Sequence, residues 1–376
     1  MTVSDSPGAL PDERRAQMVE LLRRRGVVRV SELATELDVS AITIRRDIAL
    51  LSSQGLIRRV RGGAVLHDGP VAETLAGATE PEDSRAPDAA HAEEPQVTIG
   101  MVVPSLNYYW PDVIRGVREA AAAAGARVIL RGATYRATDE RRHLSRLVEA
   151  VGVDGLLVAP TTTGDEGKEL VRWLQEADMP MVLIERTAAS GSYHEAMESV
   201  VSDHALGAGM AVRHLVELGH RRVGLVTTIR SPTSPHVRRG WRQACEEFGL
   251  PLDDTLDFNT VDQFHPEWPR TVENVIDQCV DSGTTALLIH SDPEAIDLVE
   301  RCQERGIRVP GDLAIVTYDD EVAELCDPPL TAVRPPKTAI GRAAFGLLAE
   351  RLTDPERPTH RMVIEPRLIV RSSSAS

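Results

Sequence analysis

Mostly apolar runs alternate with amphipathic segments along residues 97–317 of this 376-residue chain. The run at 97–103 predicts a buried strand, and a helical period follows over 111–124. The same alternation predicts strands at 127–131, 155–159, 181–184, 222–227, 286–290 and 313–317, and helices at 138–150, 165–177, 204–218, 237–248, 268–281 and 293–305. Strands that alternate with helices form parallel sheets with helices on both faces. The pattern therefore predicts an α/β fold.

A weak internal repeat divides this α/β region. Gly116, Ala120 and Gly125 recur as Gly240, Ala244 and Gly249, and each set follows an apolar strand and a loop. Two similar halves imply two lobes with a cleft between them. Because ligands of such sheets bind at the carboxyl ends of the strands, residues just after strands become candidate ligand contacts.

A smaller pattern precedes this region, at residues 13–66. A helix over 13–25 ends at Gly26, a short strand follows at 27–30, and Ser31 is in position to cap a second helix. Ser40 then caps a third helix. Its Ile44, Ile48 and Leu51 fall on one narrow stripe, which predicts a buried face. Two short strands turn around Gly62 and Gly63.

Arginines on the third helix and on this hairpin predict contact with DNA. An exposed arginine or threonine in the first two turns of such a helix can reach base edges, and the capped helix N-terminus can hold a phosphate. A solvated face would also explain Arg45 and Arg46, but three arginines on a tight hairpin favour a phosphate-binding wing. Asp47 lies nearer the buried stripe and is expected to tether a neighbouring arginine. The candidate DNA contacts are Ser40, Ala41, Thr43, Arg45, Arg46, Arg58, Arg59 and Arg61.

Charge is segregated along the chain. Residues 13–66 hold eleven arginines and six acids, 67–96 hold one arginine and eight acids, and the whole chain carries −15. A basic head on an acidic body fits a protein that meets a polyanion with one face. The acidic segment at 67–96 has few apolar groups and is expected to be a disordered linker.

Composition narrows the class further. No apolar run approaches the roughly 20 residues of a membrane span, and the N-terminus shows no secretion pattern, which favours the cytoplasm and no membrane contact. The low aromatic content, 3%, predicts an aliphatic core. The four cysteines have no common zinc spacing, so we expect buried thiols and no bound metal.

Catalytic motifs are missing from the sequence. Residues 164–168 are too short for a phosphate loop, and Glu169 stands where Ser or Thr is required. The pair Gly207 and Gly209 lacks a third glycine and lies in a helical pattern. There is no Gly-x-Ser-x-Gly elbow and no His-x-x-x-His pair. We therefore expect neither an enzyme nor a cofactor.

Residues 13–66 resemble the winged helix-turn-helix of the DeoR family, after a disordered tail at 1–12. The match lies in Val-Ser-Glu-Leu-Ala at 30–34, Val-Ser at 39–40, Thr-Ile-Arg-Arg-Asp at 43–47, Gly-Leu at 55–56 and Arg-Gly-Gly-Ala at 61–64.

Residues 97–376 resemble the effector-binding core of LacI/GalR-type regulators, which share the fold of periplasmic sugar-binding proteins. The matching stretches are His-Leu-Val-Glu-Leu-Gly-His-Arg-Arg-Val-Gly at 214–224, Arg-Val-Pro-Gly-Asp-Leu-Ala-Ile at 308–315, Tyr-Asp-Asp at 318–320, Pro-Pro-Leu-Thr at 328–331 and Pro-Arg-Leu-Ile-Val-Arg at 366–371. The resemblance implies two Rossmann-like subdomains, with the chain crossing near 202, 326 and 358. Lobe 1 would hold 97–201 and 327–357, and lobe 2 would hold 202–326 and 358–376.

The resemblance also implies an effector site. Tyr109 and Trp110 stand at the family's sugar-stacking aromatic pair, Glu185 and Arg186 at its hydroxyl-binding Asp-Arg, and Ser291, Asp292 and Asp319 at further ligand positions. A neutral polyol needs an aromatic face and charged bidentate partners, as this set provides. Alternatively, Trp110 fills the core, and Glu185 and Arg186 form an interlobe ion pair.

Several positions depart from the family pattern. Its usual arginine before the helix at 237–248 is replaced by Val237, with Arg238 beside it as the candidate donor. His204 replaces a frequent asparagine and Thr317 a glycine. The family's own helix-turn-helix and hinge helix are also absent, so its hinge-folding mechanism does not transfer intact.

Together these features predict a cytoplasmic, ligand-responsive transcription regulator, a repressor that binds an inverted-repeat DNA operator as a homodimer. A small sugar-like effector in the cleft would modulate operator binding. The alternatives are a sugar-binding protein without a regulatory role and a sugar-processing enzyme with a regulatory head.

The substitution Arg46→Ala tests the role of the third helix. We expect it to weaken specific operator binding by roughly 1–3 kcal/mol and to blur the preference at one base pair. Binding to an operator and to single-base variants of it measures both effects. An equal loss on all sequences would make Arg46 a phosphate contact only.

Overall fold

The computed structural model describes residues 11–37, 39, 43–44, 47–48, 51, 57–60, 63–66, 97–177, 179–190, 195–253, 255–261 and 265–375. The described residues comprise a head, within 11–66, and a body, within 97–375. The body divides into two compact units. We call residues 97–204 with 335–367 the N-unit, and residues 205–334 with 368–375 the C-unit. Residues 1–10 of the predicted tail at 1–12 and the whole predicted linker at 67–96 lie outside the described residues, whereas residues 11 and 12 are helical and not part of a tail.

The head contains two complete helices, further helical residues and a small antiparallel sheet. Its elements are α1 (Pro11–Arg25), β1 (Val27–Arg29), α2 (Val30–Glu36), β2 (Ile57–Val60) and β3 (Gly63–Leu66), with sheet order β1-β3-β2. Gly26 ends α1 in the left-handed region, at φ 75°. Thr43, Ile44, Asp47, Ile48 and Leu51 are also helical.

Two predicted boundaries in the head are corrected. The first helix begins at Pro11 rather than at residue 13. The second begins at Val30, so Ser31 lies inside it and does not cap it. The physical reason is that the Glu32 carboxylate accepts the Arg29 N–H at 3.2 Å, which satisfies a backbone donor at the helix start.

The predicted stripe of the third helix is confirmed. Ile44, Ile48 and Leu51 are buried, together with Met18, Leu22, Leu33 and Ile57. Asp47 is also buried, and Arg14 and Arg15 donate to its carboxylate at 2.6 and 3.5 Å. The predicted tether between Asp47 and a neighbouring arginine is therefore confirmed.

The N-unit is a six-stranded sheet with flanking helices. Its strands are β4 (Thr98–Val103), β5 (Arg127–Gly132), β6 (Gly155–Val158), β7 (Met181–Ile184), β10 (Ser199–Ser202) and β16 (Arg361–Ile364), in the order β16-β10-β7-β6-β4-β5. The helices are α3 (Trp110–Ala123), α4 (Ala137–Ser145), α5 (Gly164–Glu176) and α10 (Lys337–Thr353). A π-helical turn, Arg146–Val151, continues α4, and a short hairpin pairs β8 (Ala189–Ser190) with β9 (Glu195–Ala196).

The C-unit repeats this plan. Its strands are β11 (Val223–Thr228), β12 (Asp257–Thr260), β13 (Ala286–His290), β14 (Ala314–Tyr318), β15 (Thr331–Arg334) and β17 (Arg367–Ile369), in the order β12-β11-β13-β14-β15-β17. The helices are α6 (His204–Glu217), α7 (Ser234–Glu247), α8 (Trp268–Ser282) and α9 (Asp292–Glu304), with a 3-10 turn at Ala323–Leu325. Pairs along both sheets are parallel, as the alternating pattern predicted.

The end of the described chain is part of the C-unit. Ser373 Oγ donates to the Ile315 carbonyl at 2.6 Å and accepts the Thr331 N–H at 2.8 Å. Ser374 Oγ lies 2.6 Å from the Thr331 hydroxyl. Both serines are buried.

The chain crosses between the units later than expected. The expected crossings near 202, 326 and 358 fall instead at 204–205, 334–335 and 367–368. Strand β15, expected in the first lobe, pairs with β14 in the C-unit, and β16, expected in the second lobe, pairs with β10 in the N-unit. Strand pairing thus places β15 in the C-unit and β16 in the N-unit, and neither short strand was predicted from the sequence.

The glycine repeat marks equivalent close contacts. A Cβ on Gly116 would lie 2.1 Å from the Thr338 carbonyl oxygen, and one on Gly240 would lie 2.0 Å from the Ala205 carbonyl oxygen. Gly125 and Gly249 adopt φ 67° and 63° just beyond the ends of α3 and α7. The repeat therefore reflects the same packing requirement in each unit.

The core is aliphatic, as predicted, and it includes all four cysteines. Burial raises the pKa of the Cys245 and Cys279 thiols to about 12 and that of Cys302 to about 11. None of the described helices combines the length and hydropathy needed to span a bilayer.

Two glycines of α10 give a matched test of packing. A Cβ on Gly341 would lie 2.1 Å from the Val113 carbonyl oxygen, whereas one on Gly346 meets nothing within 4 Å. Gly341→Ala should therefore destabilise the protein by about 1–3 kcal/mol through overpacking. Gly346→Ala should stabilise it by about 0.5–1 kcal/mol because alanine favours the helix. Urea unfolding of both variants measures the difference, and equal effects would contradict the close α3–α10 approach.

Candidate functional site

The candidate DNA-contacting residues are placed only in part. Thr43 is helical and half-buried beside Ile44. Arg58 and Arg59 occupy β2, in register with Val65 and Ala64 of β3, while their side chains lie outside the description. Ser40, Ala41, Arg45, Arg46 and Arg61 lie outside the described residues. The antiparallel hairpin at the predicted wing is confirmed.

In the N-unit, four of the predicted effector residues come together at the carboxyl ends of parallel strands. Glu185 and Arg186 directly follow β7, and Tyr109 and Trp110 stand at the start of α3, in the connection after β4. The Tyr109 hydroxyl donates to Glu185, and the Arg186 guanidinium lies 6.0 Å from the centre of the Trp110 ring. This edge of a parallel sheet is the usual place for ligands.

The Glu185 carboxylate is fully engaged within the N-unit. It accepts the Ser202 N–H at 2.9 Å and the Ser202 hydroxyl at 2.7 Å, and His204 Nε2 lies 3.4 Å away. Burial would raise its pKa, but the hydrogen bond and charge of His204, the Ser202 amide and the Tyr109 hydroxyl lower it to about 2. Glu185 therefore holds the Tyr109 hydroxyl in place, and its contact with ligand hydroxyls stays a prediction.

Arg186 differs from Glu185 because fewer described residues hydrogen-bond to it. Its guanidinium is 8% exposed and donates to the Glu185 carbonyl at 2.6 Å. Among the described residues no carboxylate lies within ion-pair distance of it, so the alternative of an ion pair with Glu185 is not what the geometry shows. Burial lowers its pKa, and the charges of Tyr135, Glu185 and Glu140 oppose that change. A buried guanidinium with one acceptor can donate further hydrogen bonds to a ligand.

The aromatic pair is split between two roles. Trp110 is 2% exposed, packs in the N-unit core and meets Tyr109 edge to face, with ring centroids 5.7 Å apart. Tyr109 is only partly buried, and Lys337 lies 5.4 Å from the centre of its ring. The alternative in which Trp110 fills the core is thus the one that the geometry favours.

In the C-unit, Asp292 shapes the loop that carries Asp319. Asp292 is 0% exposed and accepts the Glu321 and Val322 N–H groups at 2.6 and 3.0 Å and the Thr317 hydroxyl at 2.9 Å. Burial and the charges of Asp319 and Asp320 raise its pKa to about 8, against the backbone hydrogen bonds. Asp292 therefore holds this loop, and its direct contact with a ligand stays a prediction. Thr317 stands where the family has a glycine, and its hydroxyl group, which a glycine lacks, donates to Asp292.

Ser291 and Asp319 flank this buried carboxylate. Ser291 caps α9, where its hydroxyl donates to Glu294 at 2.7 Å and its N–H donates to the same carboxylate at 3.2 Å. Asp319 follows β14 in the left-handed region, at φ 99°, and its Oδ2 lies 3.8 Å from His290 Nε2. Both lie at the carboxyl edge of the C-unit sheet.

Arg238 lies on α7 and contacts two strands of this sheet. It donates to Asp257 at 2.7 Å and to Thr227 and Asn259 at 2.8 Å each. Val237 is buried in the core. The displaced arginine therefore reaches the carboxyl ends of β11 and β12, with its charge balanced by Asp257.

Sequence reasoning missed Ser202, Asn259 and His290, and treated His204 only as a departure. Ser202 and His290 are the last residues of their strands. A search that included final strand residues, and not only those that follow, would have found them. Two other histidines have structural contacts: His214 lies 2.8 Å from the Ser374 hydroxyl, and His220 lies 2.9 Å from the Thr285 hydroxyl.

Family models match both parts of the chain. Residues 212–374 match a periplasmic binding protein-like domain, and residues 14–69 match a DeoR-like helix-turn-helix domain. A nucleic-acid-binding head joined to a ligand-binding fold defines a transcription regulator.

The similar curated proteins and the similar solved structure reported next are also transcriptional regulators. The chain is 32% identical over 285 residues to an uncharacterised HTH-type transcriptional regulator in the aml 5′ region of Streptomyces limosus, covering 74% of this chain and 78% of the relative. It is 28% identical to the HTH-type transcriptional repressor PurR of Vibrio parahaemolyticus, covering 73% and 80%. The structure of the transcriptional regulator CelR in complex with cellobiose superposes with TM-score 0.63 at 26% identity, covering 73% and 84%.

The chain thus belongs to the LacI-type family of helix-turn-helix transcriptional regulators, with a DeoR-like domain as its head.

The substitution Glu185→Gln tests the buried network. It should destabilise the protein by about 3 kcal/mol at neutral pH, because it replaces a buried carboxylate that accepts hydrogen bonds from Ser202 and Tyr109. The folded-state pKa of about 2 lies below the ordinary 4.5, so this stabilisation is present above pH 4.5 and is lost as the pH falls toward 2. Urea unfolding at neutral and acidic pH measures it.

The control for this experiment is Glu169→Gln, a change of an exposed glutamate on α5. The stability of the control should follow the wild type at every pH. If the wild type and Glu185→Gln lost stability in parallel as the pH falls, the result would contradict a stabilising role for the Glu185 hydrogen bonds.

Proposed function

We propose that this chain is a cytoplasmic repressor whose operator binding is modulated by a small sugar-like effector. Two copies would present two heads to an inverted repeat, with half-sites about one helical turn or a multiple of it apart. Thr43, Arg45 and Arg46 would read bases. Ser40, Ala41 and the wing arginines Arg58, Arg59 and Arg61 would hold phosphates.

The observation that carries the effector assignment is Arg186. Arg186 is buried at the carboxyl edge of the N-unit sheet, yet among the described residues the acceptor of its guanidinium is the Glu185 carbonyl. A buried charge is stable only when its donors are satisfied. Ligand oxygens, such as sugar hydroxyls, would complete its hydrogen bonding.

The other predicted residues support a polyol. Tyr109 offers an aromatic ring fixed by Glu185, while Ser291, Asp319 and Arg238 offer polar groups at the edge of the C-unit sheet. Trp110 and Asp292 would act by holding Arg186 and the Asp319 loop in place. The cellobiose complex of CelR supports a sugar as the ligand class.

The regulatory role is favoured over the two alternatives. The DeoR-like head argues against a sugar-binding protein without a regulatory role. The similarity to transcription regulators argues against a sugar-processing enzyme.

A paired assay tests the proposal. Thermal shift against pentoses, hexoses, disaccharides and polyols identifies an effector, since a ligand at 100 times its dissociation constant stabilises by about 2.7 kcal/mol. Fluorescence anisotropy with promoter DNA, with and without that sugar, then measures coupling, for which we expect roughly 1–3 kcal/mol. Light scattering should show a dimer. Stabilisation by a sugar without any change in DNA affinity would contradict the regulatory role.

The substitution Arg186→Ala should weaken effector binding at least about tenfold and abolish the effector response, while operator binding in the absence of effector stays intact. The Asp319→Ala variant should behave in the same way. Calorimetry and anisotropy measure the two properties. Arg172→Ala, which changes an exposed arginine of α5, is the matched control and should match the wild type. An effector response that is unaltered in both Arg186→Ala and Asp319→Ala would contradict the assignment of these residues to the effector site.

A further inference from the structure

We infer that His290 is a specificity-determining residue of the effector site and accepts a hydrogen bond from a hydroxyl group of a neutral ligand. The inference rests on the proposed function and narrows its ligand class.

His290 ends a row of polar side chains on one face of the C-unit sheet. Thr227 of β11 is in register with Asn259 of β12 on one side and with His290 of β13 on the other. Registered residues of parallel strands project to the same face. Arg238 donates to both Thr227 and Asn259 and so satisfies that end of the row.

The other end of the row is unsatisfied. His290 is 5% exposed, and its Nδ1 is buried without a hydrogen-bond partner in the described structure. Its Nε2 lies 3.8 Å from Asp319 Oδ2, and its ring lies 5.8 Å from that of Tyr318. Buried polar atoms of native proteins normally have partners, so an orphaned one beside predicted ligand residues calls for an explanation.

The Asp319 carboxylate determines which tautomer of the His290 imidazole is favoured. It favours a proton on Nε2, and the neutral imidazole then presents the lone pair of Nδ1 as an acceptor. A ligand hydroxyl group can then donate a hydrogen bond to Nδ1, on the side of the ring away from Nε2.

The Asp319 carboxylate opposes an anionic ligand at this position, because it lies 3.8 Å from His290 Nε2. The nearby described arginines already have carboxylate partners: Arg334 and Arg371 pair with Asp320, and Arg238 pairs with Asp257. A phosphate here would meet acceptors and negative charge, whereas a neutral sugar would supply the missing donor.

The test measures binding and ligand-free stability of the full chain in parallel. Calorimetry with D-ribose, D-glucose and cellobiose, and with D-ribose 5-phosphate and D-glucose 6-phosphate, compares neutral with anionic probes. His290→Leu should weaken the bound neutral sugar about tenfold, whereas His290→Gln, which keeps an acceptor, should stay within about threefold of the wild type.

Ligand-free stability separates a binding role from a structural one. His290→Leu removes an orphaned polar atom, so its melting temperature without sugar should equal or exceed that of the wild type. His214→Leu is the matched control, because His214 hydrogen-bonds Ser374. It should melt lower and bind sugar normally.

Three outcomes would overturn the inference: normal sugar affinity in His290→Leu, a loss of ligand-free stability as large as that of His214→Leu, or a preference for the phosphorylated probes. Binding of no probe would contradict both the sugar class and this role of His290. A neutral sugar that binds through His290 but leaves DNA affinity unchanged would contradict the proposed function alone.

Discussion

Two buried carboxylates organise the loops at the strand ends of the body. Glu185 in the N-unit collects Tyr109, Ser202 and His204, and Asp292 in the C-unit collects two backbone amides and Thr317. Each carboxylate is out of contact with water and has its acceptor capacity used by the protein. Because buried polar groups are costly unless they are hydrogen-bonded, the loops are held in the conformations that satisfy these two carboxyl groups.

These networks position residues that we propose to contact a ligand. Arg186 follows Glu185 directly and, within the part of the chain that the structure describes, donates to the Glu185 carbonyl, and Asp319 stands on the loop that Asp292 fixes. Both Glu185 and Asp319 adopt left-handed backbone conformations, at φ 54° and 99°. Strained backbone of this kind persists where the surroundings over-determine it. The buried, hydrogen-bonded carboxyl group of each unit thus holds the proposed binding groups in place before a ligand arrives.

The sequence predicted the architecture better than the roles of individual side chains. The strand–helix alternation, the stripe of Ile44, Ile48 and Leu51, and the glycine repeat all arise from local periodicity or close packing. The unit boundaries were missed because they depend on which sheet β15 and β16 join, and each strand pairs with a partner that local periodicity does not indicate, β14 and β10 respectively. Roles were misassigned where partners are distant in sequence: 76 residues separate Tyr109 from Glu185, and 25 separate Thr317 from Asp292.

The turn that contains Ser373 and Ser374 holds two strands of the C-unit together. Ser373 bridges β14 and β15, and Ser374 contacts both Thr331 and His214. The strand that leads into Asp319 therefore depends on a hydroxyl group 58 residues away in sequence from its partner, the Ile315 carbonyl. A substitution in this distant turn would reach the Asp319 loop through β14, without any direct contact.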